Sequence, residues 1–223
     1  MSREKAPVTA AIRDGAITLA SAVERETGLV KQISVKLAER GTKVEVTHRL
    51  RNTRRKSQRL AVWALTMMAQ GGSGIVAFPQ RGAHPKMLTP THPLVMWAYT
   101  DLSDPRWHFT PKYMVFHQDP NIGSPQKLGQ FHHRPGGAYL LGDELFVKGA
   151  SANPAKTYAD FGCSFEMFAN NDFLELETLG PLVDLAPGAS VTHRETWTLR
   201  RGLKIDAWTD AELDRVLAAK PAR

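Results

Sequence analysis

Apolar and polar residues alternate along the early part of the chain. Within residues 17–50, Ile33, Val35 and Leu37 fall on one side while Gln32, Ser34 and Lys36 fall on the other. A two-residue period is the mark of a half-buried strand. Val44 and Val46 alternate with Lys43, Glu45 and Thr47 in the same way, and Glu39-Arg40-Gly41-Thr42 between the two runs predicts a hairpin turn. Residues 60–68 are almost continuously apolar, as in a strand covered on both faces; a buried helix would carry the same run. Gly71-Gly72-Ser73-Gly74 ends that run, and residues 75–79 form a further short strand.

Residues 80–137 are rich in Pro, Gly and His and read as long loops with short strands inside. Residues 138–148 and 161–168 are two more strand segments. Residues 173–179 alternate strictly, with Glu175 and Glu177 on one face and Leu174 and Leu176 on the other. After a Pro187-Gly188 turn, residues 190–200 alternate through Val191, His193, Glu195 and Trp197. One helix is expected, over residues 209–219. Thr209-Asp210-Ala211-Glu212 is a capping box, and Leu213, Val216 and Leu217 follow at helical spacing. Many strands against one helix predict an all-β sandwich with long loops. A single domain spans residues 1–223, with residues 1–14 a flexible lead-in.

Composition narrows the function classes. At 223 residues with 42% hydrophobic and 23% charged residues, the chain supports one sizeable core. No apolar run approaches the roughly 20 residues of a membrane helix, and no apolar segment follows the N-terminal charges. No membrane partner and a cytoplasmic location are therefore expected. The net charge is +7, concentrated in Arg49, Arg51, Arg54, Arg55, Lys56 and Arg59. No aromatic residues interleave them and no recognition helix accompanies them, so they read as a solvated loop and not a nucleic-acid surface. Cys163 is the only cysteine, which excludes an internal disulfide and reads as a buried small residue.

Several stretches carry a family resemblance. They are Val46-Thr47-His48-Arg49-Leu50-Arg51-Asn52, Ala61-Val62-Trp63-Ala64-Leu65-Thr66 leading to Gly71-Gly72, and Tyr158-Ala159-Asp160-Phe161-Gly162-Cys163. Then come Leu174-Glu175-Leu176-Glu177-Thr178-Leu179-Gly180-Pro181, Leu185-Ala186-Pro187-Gly188 and Glu195-Thr196-Trp197. In this order they resemble the galactose mutarotase-like superfamily, which includes the aldose 1-epimerases, and in particular a bacterial domain-of-unknown-function branch of it. The resemblance implies a galactose mutarotase-like β-supersandwich, with a small-molecule sugar or sugar acid as partner and no cofactor. It implies isomerase chemistry of the aldose 1-epimerase kind, or a non-catalytic glycan-binding or assembly domain on the same fold. Glu177, in Leu176-Glu177-Thr178, matches the carboxylate that removes the anomeric proton. The histidine of the family's earlier motif is missing: residues 60–68 hold Trp63 and Thr66 instead. The family's additional N-terminal strands are also missing, so a partner or a second copy could supply part of the scaffold.

The residues themselves offer a parallel reading. Glu175 and Glu177 lie about 7 Å apart on one strand face, close enough for each to raise the other's pKa. In a cleft they would work as acid and base, with Glu166 or a loop histidine as partner; on an open face they are ordinary surface. Trp63, Trp97, Tyr99 and Trp107 could stack a pyranose or simply pack, with Trp63 the more core-like. Lys127 and Lys148 could meet an acidic sugar, although lysines are mostly surface. His84, His92, His108 and His117 lack metal-ligand spacing. The adjacent His132 and His133 would point to opposite faces of a strand, so no metal is expected.

Overall fold

A computed structural model describes residues 7–218. In chain order the strands are β1 (Thr9–Arg13), β2 (Ala16–Ala20), β3 (Leu29–Leu37), β4 (Val44–Asn52), β5 (Gln58–Leu60), β6 (Trp63–Met68), β7 (Ser73–Ala77), β8 (Leu94–Met96) and β9 (Trp107–Phe109). There follow β10 (Tyr113–His117), β11 (Gln126–Gln130), β12 (Gly136–Leu141), β13 (Glu144–Gly149), β14 (Phe165–Ala169), β15 (Leu174–Leu179), β16 (Val183–Leu185), β17 (Ser190–Arg200) and the helix α1 (Asp210–Ala218). The protein is all-β with one short C-terminal helix. Ten strands make one antiparallel sheet, in the order β1-β2-β3-β4-β17-β13-β12-β7-β10-β9. Five make a second, β6-β15-β14-β11-β8, and β16 pairs with β5 in a small ribbon.

The sheets stack because each buries one face. Val76, Met114, Phe116 and Tyr139 of the larger sheet meet Leu128, Phe165, Met167, Leu174 and Leu176 of the smaller. Alternation then sends Ile75, Val115, Ala138, Leu140 and Leu145 to the other side of the larger sheet, where Leu213 and Val216 of α1 cover them. The helix is tied down by Asp214, which accepts from Tyr113 Oη at 2.7 Å and Lys112 Nζ at 2.6 Å. Strands β13 and β17 lie beneath the β6–β15 pair, so β1–β4 project past the β6 edge of the smaller sheet. A hollow of about 500 Å³ opens there, lined by Leu19, Ile33, His48, Leu50, Trp63 and Leu65 among others.

Several expectations change. The expected lead-in is a strand over Thr9–Arg13, paired with β2; residues 1–6 lie outside the described residues. The run over residues 60–68 is not covered on both faces. It breaks between β5 and β6, and Trp63 and Met67 are exposed because β6 is the edge of its sheet. The loop-rich stretch holds two strands of the core, β10 and β11. β11 reads Gln-Lys-Leu-Gly-Gln, so no apolar period announces it, yet all five residues are buried. Residues 138–148 are a hairpin, β12 and β13. Half of the capping box forms: the Glu212 amide donates to Thr209 Oγ1 at 3.4 Å, while the Glu212 carboxylate turns instead to Arg215. Residue 219, at the end of the expected helix, lies outside the described residues.

Candidate functional site

The register of the smaller sheet builds the site. Val95, Gly129, Glu166, Glu177 and Leu65 are cross-strand partners in one row, and Lys127, Phe168, Glu175 and Met67 in the next. These rows face away from the core, since their sequence neighbours Leu128, Phe165, Met167, Leu174 and Leu176 fill it. Glu166 and Glu177 therefore stand directly opposite each other, with Lys127 one step along.

The Lys127 ammonium lies 2.7 Å from Glu166 Oε2 and donates to Glu177 Oε2 at 2.9 Å. Trp63 Nε1 donates to the same Glu177 oxygen at 2.6 Å. The Lys127 ammonium also sits 4.7 Å from the Trp97 ring centre and 5.1 Å from that of Trp63, within cation–π range. Trp97 is held over the sheet by its turn. Its amide donates to Thr100 Oγ1, which donates in turn to the Lys127 carbonyl. Tyr99 meets Phe168 edge-on. Trp63 and Tyr99 stay 44% and 42% exposed, whereas Glu177 is fully buried and Glu166 and Lys127 nearly so. The second oxygens, Glu166 Oε1 and Glu177 Oε1, are buried without a hydrogen-bond partner.

Burial pushes the Glu166 carboxyl up to about 8; Lys127 opposes this, while Glu177 and Asp160 add to it. Burial, then the charge of Glu177, lifts Glu175 to about 7. Burial pulls Lys127 down, but Glu177 and Glu166 outweigh it and hold the ammonium above its ordinary value. Burial thus biases Glu166 toward its protonated form beside a charged lysine. The buried Cys163 thiol is raised to about 12, first by burial and then by Glu166, which excludes it as a thiolate nucleophile.

A second charged group lies between the sheets. Lys148 Nζ reaches Ala64 O at 2.8 Å, Thr66 Oγ1 at 2.9 Å, Leu176 O at 3.0 Å and Glu195 Oε1 at 2.8 Å. Glu195 also accepts from Thr178 Oγ1 and from Trp197 Nε1, and its Oε2 lies 3.1 Å from His48 Nε2. Thr178 pairs with His193 at 2.8 Å. Burial favours the charged form of neither residue; the His48 and Lys148 contacts nevertheless hold Glu195 down to about 2, and burial lowers His193 to about 4.

The structure thus gathers Glu177, Glu166, Lys127, Trp63 and Trp97, and sets Glu175 and Tyr99 beside them. It sends Thr66 and Lys148 to the opposite face of the sheet, and Trp107 to the core against Phe116. Neither lysine is a surface residue; both are buried against carboxylates. Trp63 is not core. No histidine bonds Glu177. Sequence reasoning passed over His48, Thr178, His193 and Glu195 as a group, although the alternation of residues 190–200 put His193, Glu195 and Trp197 on one face. His132 and His133 stack at 4.8 Å instead of separating, because they lie in a loop. Among the described residues no three His, Cys, Asp or Glu side chains gather as a metal would need, and no helix is long and apolar enough to cross a membrane.

This stack of antiparallel sheets is the galactose mutarotase-like fold. A galactose mutarotase-like protein from Lactobacillus casei superposes with a TM-score of 0.53 at 12% identity, over 87% of this chain and 73% of its own. A candidate aldose 1-epimerase from Escherichia coli gives 0.50 at 13% identity, over 87% and 68%. A galactose mutarotase-related enzyme from Lactobacillus acidophilus gives 0.50 at 8%, over 92% and 73%. At such identities the likeness is one of fold. No protein-family model matches the sequence, and no curated protein does.

Proposed function

We propose that this protein binds a sugar on the outer face of its five-stranded sheet, against Trp63, Trp97 and Tyr99. The observation that carries the proposal is the pair of unpartnered carboxylate oxygens, Glu166 Oε1 and Glu177 Oε1, beneath an exposed aromatic shelf. Buried polar atoms are normally paired, and an orphaned acceptor is costly. A pyranose brings what is lacking: hydroxyl donors on its edge and an apolar C–H face for the rings.

A second reading adds chemistry. Burial raises the Glu166 carboxyl toward its protonated form, and it faces Glu177 across the ladder. Glu177 would take the anomeric hydroxyl proton while Glu166 protonates the ring oxygen, in place of a histidine. Both carboxylates are shut from solvent here, so in either reading sugar hydroxyls reach their free oxygens only once the Trp63 and Trp97 rings swing aside.

A thermal-shift and calorimetric panel of aldoses, uronates and sugar phosphates tests both. At least one sugar is expected to raise Tm. Trp97→Ala is expected to weaken that sugar about tenfold. If no sugar raises Tm, the proposal falls. Anomer interconversion followed by polarimetry tests the second reading: Glu177→Gln should abolish turnover while keeping most of the affinity. Binding without any turnover in the wild type removes the chemistry and leaves the binding.

A further inference from the structure

Residues 160–162 form a short 3-10 turn whose first two members, Asp160 and Phe161, both have positive φ, at 48° and 56°. That region favours glycine, and a phenylalanine held there is strained. The strain does not bury the ring: Phe161 is 91% exposed, more than any other large apolar side chain described. It stands at a hollow of about 650 Å³ lined also by His92, Phe131, Lys156, Thr157 and Tyr158. The Phe131 and Tyr158 rings meet edge-on at 5.4 Å. Thr91 Oγ1 lies 2.9 Å from His92 Nδ1, and burial, with the charge of Arg81, lowers the pKa of the imidazole.

Strand β11 links this hollow to the sugar shelf. Alternation along β11, carried one residue past its end, puts Lys127, Gly129 and Phe131 on the same outer face. The Trp97 indole lies over Gly129 between the other two. Cys163, which follows the Phe161 turn, packs at Gly129 as well. From Gly129, beneath the Trp97 indole, to Phe131 is two residues of strand, about 7 Å. A ring stacked at Trp97 and a ring at the Phe131 hollow would therefore be neighbouring units of one chain.

We propose that the turn at Phe161 is a second sugar subsite, and that the ligand is therefore an oligosaccharide of at least two units, not a free monosaccharide. One ring lies on the Trp63 and Trp97 shelf and the next stacks on Phe161, with hydroxyls reaching His92, Thr157 and Lys156. The inference rests on the sugar-binding reading above.

Calorimetric titration of a monosaccharide and its disaccharide and trisaccharide, in gluco and galacto series, against the wild type, Phe161→Ala and Phe161→Trp tests it. The wild type should bind the disaccharide about tenfold tighter than the monosaccharide. Phe161→Ala should erase that gain and leave monosaccharide affinity within about twofold of wild type; Phe161→Trp should keep the gain. Equal affinity for the two lengths, or a gain that survives in Phe161→Ala, overturns the subsite while the shelf stands. Binding of no sugar at any length removes the shelf and the subsite together. Because Phe161 is almost wholly in solvent, its replacement leaves the core untouched.

Discussion

A Cβ added to Gly129 would lie 2.6 Å from Cys163 Sγ, 3.1 Å from the Trp97 ring and 3.2 Å from Glu166 Cγ. Three neighbours converge on a space that one methyl group would fill, and two of them frame the site. Gly129→Ala is expected to destabilise by about 1–3 kcal/mol, the usual range for overpacking, and to move Trp97. Urea denaturation and tryptophan fluorescence read the two effects; an unchanged midpoint would show that the crowding is absent. Lys148 makes the complementary case. It is fully buried, and its loss strands the Glu195 charge. Lys148→Met should cost about 3–5 kcal/mol. The double variant Lys148→Met with Glu195→Gln should cost less than Lys148→Met alone, because the orphaned charge goes too. A double-mutant cycle measures the difference, and additive losses would refute the pairing.

Among the elements, α1 is the one whose role is simplest to isolate. Its Leu213 and Val216 are fully buried against β7, β10, β12 and β13. Leu213→Ala is expected to cost about 2–5 kcal/mol in denaturant unfolding. A loss under 1 kcal/mol would mean that the helix is a loose appendage. The helix was legible in the sequence from its threonine cap and its three- and four-residue apolar steps. β11 was not. Its glutamines are buried because they bond to other chain segments: Gln130 Nε2 donates to Ala77 O, and Gln126 Oε1 accepts from the Asp101 amide and Trp107 Nε1. Those partners are 19 to 53 residues away, so no local pattern marks the strand. Trp63 misled for a related reason. Its apolar neighbours suggest a core strand, and only its place at a sheet edge exposes it.

For the whole molecule, the buried ionisable groups set a pH range. Glu195, about 2 when folded against an ordinary 4.5, gives stability that is full above about 4.5 and lost as pH falls toward 2. His193, about 4 against 6.5, gives stability that is full above about 6.5 and lost toward 4. Glu166 and Glu175 act the other way. Raised to about 8 and about 7, they cost nothing below about 4.5 and progressively more as pH rises through those values. Stability should therefore fall on both sides of a maximum in the weakly acidic range. Glu166→Gln should flatten the alkaline side, between about pH 5 and 8. Denaturant midpoints across pH read this, and an unaltered alkaline slope in the variant would contradict it.

The sequence by itself determined that the chain is made of strands, and which side chains share a strand face. A two-residue period fixes that locally, and so Glu175 with Glu177, and His193 with Glu195, were readable as pairs. It did not determine which face turns inward, nor which distant strand lies alongside. Those follow from the joint packing of two sheets, where burying the largest apolar area selects one register among many. Trp63 reaches Glu177 across 114 residues and Lys127 reaches it across 50. Only the folded sheet could bring those three together, and only it could divide the two lysines between two charged groups on opposite faces.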